Sequence, residues 1–329
     1  MNKAILTISI MLLLSPGVSG QGTRTEFFKE SKVLKPFISE IRSTVIKTEF
    51  AFLNKLDKNY YVSDYTGRPF IETHLGVDIP VMSYSNTLNG LKFNLSGEIG
   101  NILLIDMFEE FTAPVINTDY FFGLRAGAIK YLENSSINNI GLEVVPVFHE
   151  STHLGDEFSI HGFNDIPDFK RINISYEAWE LAVVINDPDT IMSNLFSLKA
   201  GLQGLWNPGK GYYSTDTLET KGYEVPQGKM NPEYYLQFNL QRTDGFLCSA
   251  SWMNIASLEI RNRIRFSYDI NIPEERKWNY NLYFGWKHRS KTALRNIGFF
   301  LRYYHGIIPN GQFRNTDGYN YFGLSIIYS

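Results

Sequence analysis

Apolar and polar residues alternate with period two along most of the chain, and this restricts its fold more than any other feature. In "FIETHLGVDIPVM", Ile71, Thr73, Leu75, Val77, Ile79 and Val81 share one face, and Glu72, His74, Gly76 and Asp78 share the other. In "NLFSLKAGLQG", Phe196, Leu198, Ala200 and Leu202 oppose Ser197, Lys199, Gly201 and Gln203. The same scheme runs through "GLKFNLSGEIG", "YYLQFNLQ", "NRIRFSYDIN" and "WNYNLYFGWKH". Side chains alternate across a strand but turn by about 100° per residue on a helix, so repeated period-two segments specify strands. The chain is all-β on this reading.

Counting segments gives about twelve strands, predicted over 43–53, 70–82, 91–105, 119–132, 141–158, 171–185, 195–206, 234–241, 263–270, 280–288, 298–305 and 319–328. The connections fall into two kinds. "SYSNTLNG", "ENSSINN", "NDPDT" and "SKTALRN" are short and turn-like, whereas "NKLDKNYYVSDYTGR" and "NPGKGYYSTDTLETKGYEVPQGKMNP" are long. An even number of alternating strands, with short turns at one end and long loops at the other, predicts a transmembrane antiparallel up-and-down β-barrel. Closure also satisfies every backbone group in lipid. With the N-terminus taken as periplasmic, the long loops lie outside the cell. An exported soluble sandwich or small ligand-binding barrel also alternates, but would leave Lys199, Gln203, Gln237, Asn239 and Arg265 as solvated surface. "DGFLCSASWMNIASLEI" falls where a short turn is expected and reads as a strand extension or an inserted loop.

The ends and composition agree with export. "MNKAILTISIMLLLSPGVSGQ" sets Lys3 before an apolar run from Ala4 to Leu14, followed by small residues, and reads as a signal peptide over 1–20. The run is about half the roughly 20 residues that a spanning helix needs. Residues 21–42 read as an amphipathic periplasmic lead-in, and 43–329 as the barrel. The net charge of -3 gives no reason to expect a nucleic-acid partner. The single cysteine, Cys248, excludes an intrachain disulfide. Aromatic residues make up 15% of the chain, which with 26 glycines suits many strands joined by tight turns better than helices. The expected location is the outer membrane of a Gram-negative bacterium. The expected partners are outer-membrane lipid, the barrel-assembly machinery and, for a permeation or uptake role, a small solute.

One stretch concentrates chemistry. In "VVPVFHESTHLGDEFS", strict alternation puts His149, Ser151, His153 and Glu157 on the polar face. The next strand, "RINISYEAWELAVVI", adds Arg171, Asn173, Ser175 and Glu177. If the apolar faces meet lipid, these residues line the lumen near the outer mouth. There a hydrogen-bonded and ion-paired network is expected simply to fill a narrow barrel. The expected role is accordingly permeation, ligand uptake or structural duty rather than catalysis; the alternative, a lipid hydrolase, uses His149 as base, Ser151 as nucleophile and Asn173 as orienting group. A metal reading of His149, His153, Asp156 and Glu157 meets a geometric obstacle. Strand positions i and i+4 stand about 13 Å apart, too far to share one ion. No metal or other cofactor is expected.

Two resemblances follow. The His-x-Ser at His149 to Ser151, with Asn173-x-x-Tyr176 on the next strand, resembles the outer-membrane phospholipase A family, also a twelve-stranded barrel. That implies lipid-ester hydrolysis, although the Asn-Gly that follows the serine in that family is Thr152-His153 here, and the family's triad faces the bilayer. "HESTHLGDEF", "RINISYEAWEL", "ERKWNYNLYFGWKH" and "RYYHGIIPNGQF" resemble, in order, the motifs of an uncharacterised bacterial family known only as a domain of unknown function. Its Ser-His-Leu-Gly-Asp-Glu block maps onto Ser151 to Glu157, with Thr152 inserted after the serine or standing in for the family's second serine, its Arg-Ile-Asn onto Arg171 to Asn173, its Trp-Asn onto Trp278 and Asn279, and its Gly-Gln-Phe onto Gly311 to Phe313. The N-terminal half resembles that family only in strand pattern. This second resemblance implies an exported barrel and no chemistry, and it places the Ser151 and Gly311 regions at one mouth.

Overall fold

The computed structural model describes residues 19–20, 22–28, 33–53, 69–107, 113, 115–133, 135–155, 171–188, 194–206, 212–215, 222–224, 232–243, 252–265, 275–288, 296–311 and 318–328. Two short strands, β1 (Ser19–Gly20) and β2 (Thr23–Phe27), precede the first wall strands, β3 (Ile46–Leu53), β4 (Pro69–Asn86), β5 (Leu91–Asp106) and β6 (Val115–Tyr131). The wall continues with β7 (Asn139–Leu154), β8 (Arg171–Ile185) and β9 (Asn194–Leu205). The short strands β10 (Tyr212–Thr215) and β11 (Gly222–Glu224) interrupt it. It resumes with β12 (Glu233–Arg242), β13 (Trp252–Arg265), β14 (Glu275–His288), β15 (Ile297–Gly306) and β16 (Tyr319–Tyr328). β3 to β9 and β12 to β16 form a closed antiparallel ring of twelve strands. β16 closes it on β3, from Tyr321 opposite Leu53 to Tyr328 opposite Ile46. β10 and β11 form a hairpin whose first strand extends the sheet beyond β8 at the long-loop end.

The faces are the inverse of those in a soluble protein. Phe50, Val77, Phe196, Leu236, Phe284 and Leu324 point outward and are exposed, whereas Glu49, Lys199, Gln237, Arg263 and Arg302 point inward and are buried. Outward exposure of so many large apolar side chains is tolerable only against lipid, so the wall is of the transmembrane type. The soluble alternative does not fit these faces.

One strand lies elsewhere than predicted. The ninth wall strand, expected over 263–270, is Trp252–Arg265, so "SWMNIASLEI" is largely wall rather than insert. Its signal was weak because Ile255 faces inward and Ala256 outward, which blurs the contrast between the faces. Cys248 and residues 266–270 lie outside the described residues.

The lead-in departs from a periplasmic position. β2 pairs with the lower edge of β4, and residues 33–45 then run inside the barrel. Leu34 and Phe37 pack with Ile129 and Val184 of the wall. The Ser39 amide donates to Ser257 Oγ at 3.2 Å, and Asn281 Nδ2 donates to the Ser39 carbonyl at 2.8 Å. The segment leaves across Gly76, where a Cβ would come within 2.6 Å of Thr44 Cα, so only glycine permits this backbone approach.

Around this plug the interior is an ion-pair lattice. Arg302 bonds Glu49 at 2.5 Å, Glu72 at 3.0 Å and Asn281 at 2.8 Å, and its guanidinium lies 4.8 Å from the Tyr321 ring centroid. Tyr283, Tyr321 and Ser325 saturate Glu49. A second group joins Arg125 to Glu98 at 2.6 Å and to Glu143 at 2.5 Å. Lys199 bridges Glu143 and the plug's Glu40 at 2.6 and 3.3 Å. Burial pushes the Glu40 carboxyl above its ordinary range, overcoming Lys199 and Arg125, which pull it down, while Glu143 and Glu180 add to the rise.

One outcome follows from this lattice. Removing one partner from a buried ion cluster costs about 3–5 kcal/mol. Arg302→Met is therefore expected to lose heat-modifiable gel migration at a distinctly lower temperature than wild type, and an unchanged transition would refute the assignment.

Candidate functional site

The geometry of the chemistry-bearing stretch follows from one proline. Leu124 of β6 faces Val147 and Ala126 faces Val144, so Arg125 stands opposite two residues, Val145 and Pro146. On the other side Glu180 of β8 faces Val145 and Ala178 faces Phe148, leaving Trp179 opposite two residues again. β7 therefore carries one extra residue, a β-bulge. Proline lacks the N–H that a regular ladder needs and is accommodated at such sites. The freed Pro146 carbonyl accepts the Trp206 indole N–H at 2.8 Å.

An extra residue inverts the facing of everything beyond it. Below the bulge Gly141, Glu143 and Val145 point inward; above it Phe148, Glu150 and Thr152 do. His149, Ser151 and His153 consequently face outward, beside the exposed Tyr120 and Phe122, and not the lumen as strict alternation predicted. β8 keeps its parity throughout, with Tyr176, Ala178, Ala182 and Val184 inward and Leu181 and Val183 outward. Ser175 and Glu177 are thus also on the outer wall, and the lumen placement of both is corrected. Arg171 and Asn173 belong to β8, with backbones paired to Thr215 and Tyr213 of β10; their side chains and Glu157 lie outside the described residues.

On this wall His149 sits between two partners. Its Nδ1 is 3.2 Å from Glu177 Oε1, and its Nε2 is 3.4 Å from Ser175 Oγ. The register makes this possible, because His149 is directly opposite Glu177 and Ser151 opposite Ser175. The imidazole stacks on Phe122, centroids 5.0 Å apart at 31°. Ser151, the serine that sequence reasoning favoured, instead bonds His153 Nε2 at 3.3 Å, and His153 meets the Tyr120 ring edge-on at 5.9 Å. Chemically, Ser175, His149 and Glu177 form a hydroxyl–imidazole–carboxylate relay, and Ser151 with His153 forms a dyad.

The relay is braced from inside the barrel. Glu150 lies between His149 and Ser151 in sequence, and Tyr176 lies between Ser175 and Glu177, so both point inward. Tyr176 donates to Glu150 at 2.7 Å, and Arg42 of the plug grips Glu150 through Nε and Nη2 and donates to Tyr176 at 2.9 Å. Three interior side chains thus lock the β7–β8 register directly behind the relay.

The Ser151 and Gly311 motif regions also meet as expected: the Gly311 amide lies 3.4 Å from both Asp119 carboxylate oxygens, and Gly311 packs on Thr152. Among the described residues no group of three or more His, Cys, Asp and Glu side chains is placed to hold a metal ion.

Comparison with solved structures finds β-barrels. The chain is similar to the translocator domain of the autotransporter NalP from Neisseria meningitidis, with 9% identity, 86% of each chain covered and a TM-score of 0.44. It is similar to the transport unit of the autotransporter AIDA-I from Escherichia coli, with 12% identity, 89% of this chain and 92% of that one covered and a TM-score of 0.44. It is also similar to a Pseudomonas aeruginosa FadL homologue, with 11% identity, 86% and 89% covered and a TM-score of 0.40. No curated protein matches the sequence. One family model matches residues 26–192, which contain the first two sequence motifs and extend the likeness through the N-terminal half, beyond the strand pattern alone. The chain belongs to that family, described as "Protein of unknown function (DUF1207)".

Proposed function

We propose that this protein is an outer-membrane hydrolase of lipid esters, with Ser175 as nucleophile, His149 as general base and Glu177 as the group that orients the imidazole. The observation that carries the reading is the position of His149, with a serine hydroxyl on Nε2 and a carboxylate on Nδ1, on the lipid-facing wall. This is the order of roles in serine hydrolases of unrelated fold. A carboxylate on a lipid-facing wall is costly at mid-membrane but nearly free of cost close to the interface. His149 lies five residues from the end of β7 at the long-loop end, and on this reading that end of the wall meets the lipid head groups and their ester bonds. The substrate then arrives sideways from the bilayer, past Phe122 and Tyr120.

In the reaction Ser175 Oγ forms a bond to the ester carbonyl carbon as its proton passes to His149 Nε2. The tetrahedral intermediate expels the alcohol, which takes that proton, and an acyl-serine remains. Water then attacks the acyl carbon, gives a proton to His149 and releases the fatty acid, and the proton returns to Ser175. Glu177 stabilises the imidazolium formed in each half. Compared with the assignment of Ser151, His149 and Asn173, the nucleophile moves from β7 to β8, and the orienting group moves along β8 from Asn173 to Glu177.

Permeation or solute uptake through the lumen has less support, because among the described residues the plug and the ion lattice fill the interior. A purely structural wall cluster would leave the Ser–His–Glu order without a reason.

Purified protein in detergent micelles with a phospholipid substrate is expected to release fatty acid. Ser175→Ala should lower the rate by roughly 10³-fold or more, whereas Ser151→Ala should keep most of it. Each variant is checked for heat-modifiable migration. Folded wild type without hydrolysis, or a folded Ser175→Ala of wild-type rate, would overturn the proposal.

A further inference from the structure

Directly inside the wall from Ser151 and His153, at the long-loop end, a buried carboxylate has as neighbours three residues that each carry a buried side-chain oxygen without a donor. Asp119 is 3% exposed and directly opposite Thr152 in the β6–β7 ladder. Its carboxylate receives only neutral donors in the hydrogen bonds seen: Asn117 Nδ2 at 2.9 Å and the Gly311 amide at 3.4 Å. Arg42 is engaged by Glu150 through two nitrogens. Three further side-chain oxygens here are buried without a hydrogen-bond partner: Asn117 Oδ1, Thr152 Oγ1 and Asn310 Oδ1, on residues 0%, 0% and 2% exposed.

These atoms belong to one neighbourhood. The Asn117 amide that donates to Asp119 carries the unpartnered Oδ1 at its other end. Thr152 Oγ1 lies 3.4 Å from where a Cβ on Gly311 would stand, and Thr152 Cγ2 only 2.2 Å from it, so glycine is what lets the 307–311 segment seat here. Asn310 immediately precedes Gly311. The two amide oxygens and the threonine oxygen can each accept, and the carboxylate has lone pairs beyond those its two neutral donors use, so one cation could satisfy all four groups; leaving such oxygens buried and unpaired is expensive.

We infer that Asp119, Asn117, Thr152 and Asn310 form a site for a hard divalent cation of the Ca²⁺ type, which fastens the loop after β15 to the wall between β6 and β7. All donors are oxygen, which excludes the preferences of softer metals. A single carboxylate with neutral oxygens and water completing the shell suits Ca²⁺ better than Mg²⁺, which demands a tight octahedron and gives up its waters reluctantly. One formal negative charge matches weak extracellular sites, with dissociation constants of about 10⁻⁴–10⁻³ M. The inference is independent of the hydrolase reading, since it concerns the inner face of the wall.

The test is thermal unfolding of the full chain in detergent micelles, in EDTA and across a millimolar CaCl₂ titration at fixed pH, with MgCl₂ as comparison. Wild type is expected to unfold at a higher temperature as Ca²⁺ rises, with a smaller response to Mg²⁺. Asp119→Asn is expected to lose the Ca²⁺ response, and Thr152→Val to need a higher Ca²⁺ concentration for the same shift. Tyrosine-sensitised Tb³⁺ luminescence gives a second readout, expected from wild type and absent from Asp119→Asn. If Asp119→Asn does not fold, the Thr152→Val titration and its Tb³⁺ signal decide. A wild type indifferent to Ca²⁺, or a response unchanged in Asp119→Asn or in Thr152→Val, would overturn the site.

Discussion

The β16–β3 pairing closes the ring, and the rest of the molecule depends on that closure. In lipid an unpaired backbone N–H or carbonyl has no water to turn to, so an open sheet edge would be untenable. With the ring closed, alternation assigns every wall residue to lipid or lumen. The outward face is accordingly apolar, and the inward face must hold the remaining polar side chains together without bulk water. The Arg302–Glu49–Glu72 and Arg125–Glu143–Lys199 groups do this by mutual pairing, and residues 33–45 supply the matter that side chains alone do not. The plug therefore belongs to the interior of the barrel, tied to it through Ser39, Glu40 and Arg42.

The bulge at Pro146 couples the two sides of this wall. It turns His149, Ser151 and His153 to the lipid side, and the same shift turns Glu150 and Thr152 inward. The outer relay and the inner Arg42–Glu150–Tyr176 brace are consequences of one inserted residue. A substitution at Arg42 should thus be felt at His149 although the two lie on opposite faces of the sheet. Thr152 in the same way carries the seat of the 307–311 loop behind Ser151.

Much of this was legible in the sequence. Twelve strands, the polarity of long and short connections and the inward Lys199, Gln203, Gln237 and Asn239 all followed from the period-two pattern, because that pattern is imposed directly by lipid on one side. Besides the displaced ninth strand, Trp252–Arg265, two things were not legible. The path of residues 33–45 has no periodicity to betray it, since an irregular segment inside a polar lumen needs no repeating face. The facing of the motif strand was misread because alternation was carried through Pro146 as though the ladder were unbroken. The signals were present: a proline within a long wall strand marks a bulge, and β8 read inward at Ser175 and Glu177 would have had to bring Leu181 and Val183 inward as well. Ser151 was favoured over Ser175 for its spacing from His149 in sequence, whereas the cross-strand register sets the contact.

The outward facing of His149 and Ser175 is the central claim, and site-directed labelling tests it most directly. Single cysteines at positions 149, 150, 175 and 176, in a Cys248→Ala background and reconstituted in bilayers, are labelled with an environment-sensitive fluorophore and exposed to a quencher carried on lipid. The account predicts quenching at 149 and 175 and protection at 150 and 176. Protection at 149 and 175 with quenching at 150 and 176 would contradict it and return the cluster to the lumen.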